Sequence, residues 1–255
     1  MKVLITGASS GIGFEMAKIL YSQNHDLILV SRDKEKLQSI KSQFGKNVKI
    51  IVADLSMESK VKELYVLCKN EKIDVLINNA GFGDCGDFCE TDINKELNMI
   101  DLNIKAVHVL TKLFLKDMVS RNCGYILNVS SMAAFSAGPL MATYYSTKSY
   151  VLRLTVSIYE ELRRKKSKVK ISCLCPGPVN TNFDSVANVS FSIKGMNPKY
   201  VAEYALKGLF SGKLIIIPGI KMKFARFFSS LVSSKFSAKI IYNVQKRKIK
   251  KWLIN

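Results

Sequence analysis

The chain has 255 residues, 48% of them hydrophobic, which fits one α/β domain able to bury a sizeable core. No window holds the ~20 apolar residues of a spanning helix. Met1-Lys-Val-Leu-Ile runs straight into a strand-like stretch, so neither a signal peptide nor a transit peptide is expected. The net charge of +19 is large and uneven: ten Lys or Arg and no acidic residue lie between Gly219 and Asn255, a bias that bears on partners rather than on fold. The six cysteines form no disulfide framework. Cys173 and Cys175 share one strand face, while Cys85 and Cys89 lack a second pair or a histidine at zinc-ligand spacing. Reduced, mostly buried thiols and no metal are expected.

Lys2 to Thr6 reads as a strand, followed by Thr6-Gly7-Ala8-Ser9-Ser10-Gly11-Ile12-Gly13 and a helical run from Phe14 to Ser22. A strand, a glycine turn and a helix start form a unit suited to pyrophosphate, because glycines let the backbone approach and the helix N-terminus favours an anion. Asp26 to Val30 is the second strand, ending Ser31-Arg32-Asp33. An acidic residue there would accept from a ribose 2′-OH, whereas an arginine suits a 2′-phosphate. With Arg32 first, the cofactor reading leans toward NADP(H) over NAD(H); the alternative is that Arg32 only opens the charged helix Lys34 to Gln43.

Val48 to Ala53 is the third strand, closed by Asp54-Leu55. Asp54 either accepts from an adenine amino group or caps the helix beginning near Ser56 to Ser59. Asp74 to Ile77 is the fourth strand, ending Asn78-Asn79-Ala80-Gly81, small and amide residues that allow a close ligand approach. A long helical pattern spans Ile93 to Asn122 with Asn103 inside it, a locally unfavourable residue that either faces water or uses its amide.

Tyr125 to Val129 reads as a buried strand leading to Ser131, and a helix from Tyr144 to Lys165 follows. Tyr144 and Lys148 stand four apart and share one helix face. An ammonium beside the phenol favours the phenolate and brings its pKa toward the working pH. Ser131 can donate to a carbonyl oxygen, so the three residues can polarise a C=O and protonate it.

Lys170 to Cys175 is the sixth strand, followed by the rigid loop Pro176-Gly177-Pro178-Val179-Asn180-Thr181, where open α/β sheets bind ligands. Residues 182 to 197 suit a mobile lid over substrate. Pro198 to Ser211 reads as a helix and Lys213 to Pro218 as a seventh strand. Beyond Gly219, apolar residues at helical spacing alternate with lysines and arginines.

Taken in order and spacing, Thr6-Gly7-x-x-x-Gly11-x-Gly13, Asp54, Asn78-Asn79-Ala80-Gly81, Asn103, Ser131, Tyr144-x-x-x-Lys148 and Pro176-Gly177 with Thr181 resemble the short-chain dehydrogenase/reductase family across residues 1–219. The resemblance implies a Rossmann-type, doubly wound, seven-stranded parallel sheet in a single domain over 1–219, with a substrate-lid region at 182–211. Residues 220–255 would be a basic amphipathic helical extension. It also implies a nicotinamide cofactor and a catalytic set of Asn103, Ser131, Tyr144 and Lys148. Tyr144 would be the general acid or base, and Lys148 would lower its pKa and hold the nicotinamide ribose. Ser131 would orient the substrate oxygen, and Asn103 would hold a relay water. Gly7, Ser9, Ser10, Gly11, Ile12, Gly13, Arg32, Asp54, Leu55, Asn79, Ala80, Gly81, Pro176, Gly177, Val179 and Thr181 would contact the cofactor together with Tyr144 and Lys148. Asn24, where relatives have glycine, is tolerable in a left-handed turn.

The expectation is thus an NADP-dependent carbonyl reductase or alcohol dehydrogenase of the cytoplasm, acting on a ketone or alcohol of apolar or 3-oxoacyl type. A homodimer or homotetramer is expected, and nucleic acid is not. The alternative is a dinucleotide-binding regulatory or scaffold protein without turnover. The basic tail has two readings: helices packed on the domain with lysines in water, or a segment peripheral to an anionic membrane.

Overall fold

The computed structural model describes residues 1–181, 183, 187 and 195–249. Short apolar runs with β-branched residues build the strands: β1 (Lys2–Thr6), β2 (Asp26–Ser31), β3 (Val48–Val52), β4 (Val75–Asn78), β5 (Tyr125–Val129), β6 (Lys170–Leu174) and β7 (Ile215–Ile216). They form one parallel seven-stranded sheet in the order β3-β2-β1-β4-β5-β6-β7. The order reverses between β1 and β4, which opens a crevice at their C-terminal ends.

The helices are α1 (Gly11–Ser22), α2 (Lys34–Phe44), α3 (Glu58–Cys68), α4 (Ile93–Ile100), α5 (Val107–Ser120), α6 (Ala142–Arg164), α7 (Pro198–Phe210), α8 (Ile220–Ser229) and α9 (Ser234–Ile249). Alternation along the strands divides the core. Val3, Ile5, Leu27 and Leu29 pack with α1, α2 and α7, whereas Leu4, Ile28, Leu76 and Ile126 pack with α3, α5 and α6. The sheet is therefore covered on both faces. Asn24 turns the chain into β2 at φ 59°, the left-handed conformation expected there.

Three local expectations are corrected. The helical run over 93–122 is interrupted by a π-helical segment, Asp101–Ala106, between α4 and α5. Only Ile215 and Ile216 of the seventh strand pair with β6. Pro198–Phe210 is the helix expected there, and its Val201, Ala202, Ala205 and Leu209 are fully buried beside α1. Of the thiols, Cys68, Cys173 and Cys175 are buried, while Cys89 and Cys123 are exposed.

Candidate active site

The glycine turn is shaped by close approach. Gly7 has φ +64°, and a Cβ on it would lie 2.8 Å from Ala80 Cα, so the turn lies against the end of β4. Thr6 locks the two strand ends together. Its Oγ1 accepts from the Asn79 and Ala80 amides at 3.0 and 3.1 Å, and Asn79 Nδ2 donates to the Thr6 and Gly7 carbonyls. The following helix starts without compensation: the N-cap Ser10 makes no side-chain capping bond, and no acidic residue stands in the first turn of α1. Its positive end is available to an anion.

At the end of β2, Ser31 shares a 2.8 Å hydrogen bond with Ser9. Asp33 is turned into the N-cap of α2, accepting from the Lys36 amide at 3.0 Å and pairing with its ammonium. Arg32 is exposed beside the cavity, 3.8 Å from Asp54. The Asp54 carboxylate accepts from the amide and hydroxyl of Ser56 at 3.0 and 2.8 Å. Met57, not Asp54, is the N-cap of α3, so the capping reading of Asp54 is corrected. Burial works against ionisation of Asp54, but the Ser56 bonds and the Arg32 charge prevail and hold the carboxyl below its usual range.

Ser131 follows β5 and accepts from the Ala133 amide at 3.1 Å, and its hydroxyl lies close enough to the Tyr144 phenol to favour the ionised form. Tyr144 and Lys148 lie in the first two turns of α6 and are both buried. Lys148 Nζ stands 5.8 Å from the centre of the Tyr144 ring and donates to the Val129 carbonyl at 3.1 Å. Here the expected electrostatics are corrected. Burial pushes the Tyr144 phenol up to about 12, with the Ser131 hydroxyl pulling the other way, and burial pushes Lys148 down to about 8. Desolvation is the largest influence on both groups, so Tyr144 keeps its proton at neutral pH.

These residues surround one cavity of about 450 Å³. Gly7, Ser9, Ser10, Gly11 and Ile12 line one end together with Arg32, Asp54 and Leu55. Asn79, Ala80 and Gly81 form its floor, and Pro176, Gly177, Val179 and Thr181 a side wall near Ser131, Tyr144 and Lys148. Two expected site residues stand behind the lining. Gly13 is packed so tightly on Gly7 and Asn79 that a Cβ would collide with both. Asn103 is fully buried in the π-helical segment; its amide donates to the Phe82 carbonyl at 2.9 Å and to Thr147 at 3.1 Å, and accepts from the Phe82 amide at 3.1 Å. The choice left open for Asn103 is thereby resolved in favour of a working amide. That anchoring also rationalises the extra residue per turn in a segment of this kind.

Sequence reasoning missed the apolar and amide walls Phe82, Met141, Tyr145, Phe183 and Gln245. The Phe183 ring lies 5.4 Å from that of Tyr144, and Ala187, also of the expected lid, is buried in the same cluster. Residues 182, 184–186 and 188–194 of that lid lie outside the described residues.

A family model described as short chain dehydrogenase matches residues 1–189. The chain belongs to the short-chain dehydrogenase family. An uncharacterized oxidoreductase of Staphylococcus aureus (strain MW2) is 30% identical over 209 residues, 81% of this chain and 89% of that protein. A short-chain dehydrogenase from Sphingobium yanoikuyae in complex with NADPH is 28% identical with a TM-score of 0.82, covering 90% of this chain and 93% of that one. The bulky-bulky ketone specific alcohol dehydrogenase from Comamonas testosteroni is 26% identical with a TM-score of 0.77, over 91% and 94% of the two chains. As a short-chain dehydrogenase, the protein is an oxidoreductase whose family fold extends beyond the matched segment through β7.

Proposed function

We propose that the protein is an NADPH-dependent carbonyl reductase, or in reverse an alcohol dehydrogenase, acting on an apolar or 3-oxoacyl-type ketone. One observation carries this reading: a protonated, buried Tyr144 shares a cavity with Ser131, a glycine turn and an uncompensated helix N-terminus. A dinucleotide-binding scaffold has no use for an acid aimed into its cavity.

The residues fit a nicotinamide dinucleotide. A Cβ on Gly81 would lie 2.8 Å from Asn103 Oδ1 and 3.2 Å from Lys148 Nζ, so only a bare backbone leaves space beside the lysine. The first turn of α1 and residues 7–13 would hold the pyrophosphate, Asp54 and Leu55 the adenine, Lys148 the ribose beside the nicotinamide, and Asn79 to Gly81 with Pro176 to Thr181 the remaining walls. Arg32 would take the 2′-phosphate. NADPH is favoured because Asp33, the only carboxylate directly after β2, is spent capping α2. The Sphingobium relative, solved with NADPH, supports the same choice.

When bound, the nicotinamide supplies the hydride. Ser131 orients the substrate oxygen, and Tyr144 gives it a proton as negative charge develops. Asn103 holds the Gly81–Phe82 backbone against α6 and thereby positions Lys148. A cavity walled by Phe82, Met141 and Phe183 suits an apolar substrate, and the ketone specificity of the Comamonas relative points the same way.

The proposal extends to assembly and place. Residues 1–219 form the catalytic unit and 220–255 an extension. Ile93, Leu97 and Val119 are exposed on α4 and α5, and Tyr150 on α6, faces that would bury in a homodimer or homotetramer. Among the described residues no helix is long and apolar enough to cross a membrane. Yet Phe224, Phe227, Phe228 and Leu231 are exposed among Lys221, Lys223 and Arg226, a surface suited to peripheral contact with an anionic bilayer from the cytoplasm.

The deciding experiment is Tyr144→Phe, assayed for NADPH oxidation over a ketone panel and for NADPH affinity. Turnover should fall about 10²- to 10⁴-fold with affinity kept within about threefold. A variant as active as the wild type would remove the mechanism.

A further inference from the structure

One polar side chain of α9 points against the ordinary rule of burial. Gln245 is 2% exposed, whereas Phe236 (55%) and Ile240 (48%) of the same helix face solvent. Its Nε2 donates to the Tyr145 hydroxyl at 3.0 Å and meets Met141 Sδ at 3.4 Å. Its Oε1 is buried and has no hydrogen-bond partner among the described residues. A buried acceptor left unpaired is costly and calls for an explanation.

The setting supplies one. Gln245 lines the cavity that holds Tyr144, and its partner Tyr145 is the next residue along α6, the two rings 6.2 Å apart. The Tyr145 ring lies so close to Gly138 that a Cβ there would collide with it, which fixes the ring and with it the amide of Gln245. α8 is held against the same site, with Met222 packed on Gly177 and Arg226 stacked 4.4 Å from the centre of the Phe135 ring. The C-terminal helices therefore contribute a wall, and that wall carries a fixed amide oxygen.

We propose that Gln245 is a substrate-specificity residue. Its Oε1 accepts a hydrogen bond from a hydroxyl or N–H that the substrate carries some carbons away from the reacting carbonyl. Ser131 and Tyr144 form the near end of the substrate site and the Tyr145–Gln245 pair the far end. The inference rests on the reductase reading for its near end only. A site built around a hydrogen bond rejects the analogue lacking the donor far more strongly than an apolar pocket rejects a missing methylene.

The test is calorimetry on the full chain saturated with NADP⁺. The probes are aliphatic hydroxyketones with the hydroxyl two to five carbons from the carbonyl, each compared with the plain ketone of equal length. At least one hydroxyketone should bind about tenfold or more tighter than its partner. In Gln245→Met, which keeps the length of the side chain, that margin should shrink to under about twofold, with plain-ketone affinity changed by less than about threefold. Gln245→Leu provides a second variant should the first fold poorly.

The proposal is overturned if no hydroxyketone outbinds its partner, if the margin survives substitution, or if both members weaken equally, as a purely structural latch would require. Turnover is read separately. Discriminating binding without hydride transfer would remove the reductase reading and keep the assignment of Gln245. Turnover of plain ketones without discrimination would do the reverse.

Discussion

Lys148 Nζ donates to the main-chain carbonyl of Val129 at 3.1 Å, tying the second turn of α6 to the end of β5. The ammonium is thereby committed to the backbone rather than to the Tyr144 oxygen, and burial brings its pKa down to about 8.

The depressed pKa makes stability depend on pH with a definite sign. Below about 8 both folded and unfolded chains hold the proton, and the folded state carries the whole cost of the buried charge. Between about 8 and the ordinary lysine value the unfolded chain binds more protons, so stability rises with pH. Relative to Lys148→Met, the wild type should therefore gain on the order of 3 kcal/mol across that window. Urea midpoints measured every half pH unit would read this; a difference independent of pH would show that the lysine is not desolvated.

Arg32→Ala should weaken NADPH binding about 10- to 100-fold and leave NADH affinity nearly unchanged, since only the former carries the 2′-phosphate. The Arg32–Asp54 contact is long and exposed, so stability should move by less than about 0.5 kcal/mol. Calorimetric titration with both nucleotides checks the first claim and a melting curve the second. Equal losses for the two nucleotides would remove the 2′-phosphate reading.

Asn103→Leu leaves the amide and carbonyl of Phe82 without their partner and removes the donor to the Thr147 hydroxyl, which keeps only its bond to the Tyr144 carbonyl. A loss of at least about 2 kcal/mol is expected on unfolding in urea. An effect below about 0.5 kcal/mol would show that the π-helical segment does not depend on this side chain.

Thr6→Val keeps the shape and removes the oxygen that accepts from both Asn79 and Ala80. The two amides lie at the cavity floor, so NADPH affinity should fall about tenfold while kcat at saturation changes by less than about threefold. Nucleotide titration and saturating kinetics distinguish this from a general unfolding defect, which would lower the active fraction and leave affinity alone.

Much of the fold was readable because its signals are local. Each parallel strand is a short apolar run, the glycine turn announces itself by spacing, and Asn24 has a side chain that tolerates its left-handed turn at little cost. The tertiary contacts were not readable. The run over 93–122 carries helical periodicity throughout, and Asn103 stands out in it only as a locally unfavourable residue; the partner that holds it, Phe82, comes from a distant loop. Asp54 reads as a cap from sequence, but its carboxylate is taken by Ser56, one residue before the true N-cap.

The site divides along the same line. The spacing of Tyr144 and Lys148 is legible, yet the direction of their pKa shifts is not, because desolvation depends on what packs around them. Gln245 was invisible for a related reason. It stands 100 residues beyond Tyr145 in the chain, on a helix whose apolar periodicity points away from the protein.

The central position of β1 also shapes how the protein is made. Val3 pairs with Leu27 on one side and with Val75 on the other, so one edge of the first strand stays open until some seventy further residues have left the ribosome. Through that interval the chain exposes an apolar strand with unpaired amides, the kind of surface that chaperones hold and that aggregates when they are scarce. Heterologous yield should therefore respond more to slower synthesis and chaperone supply than to any stabilising change at the surface.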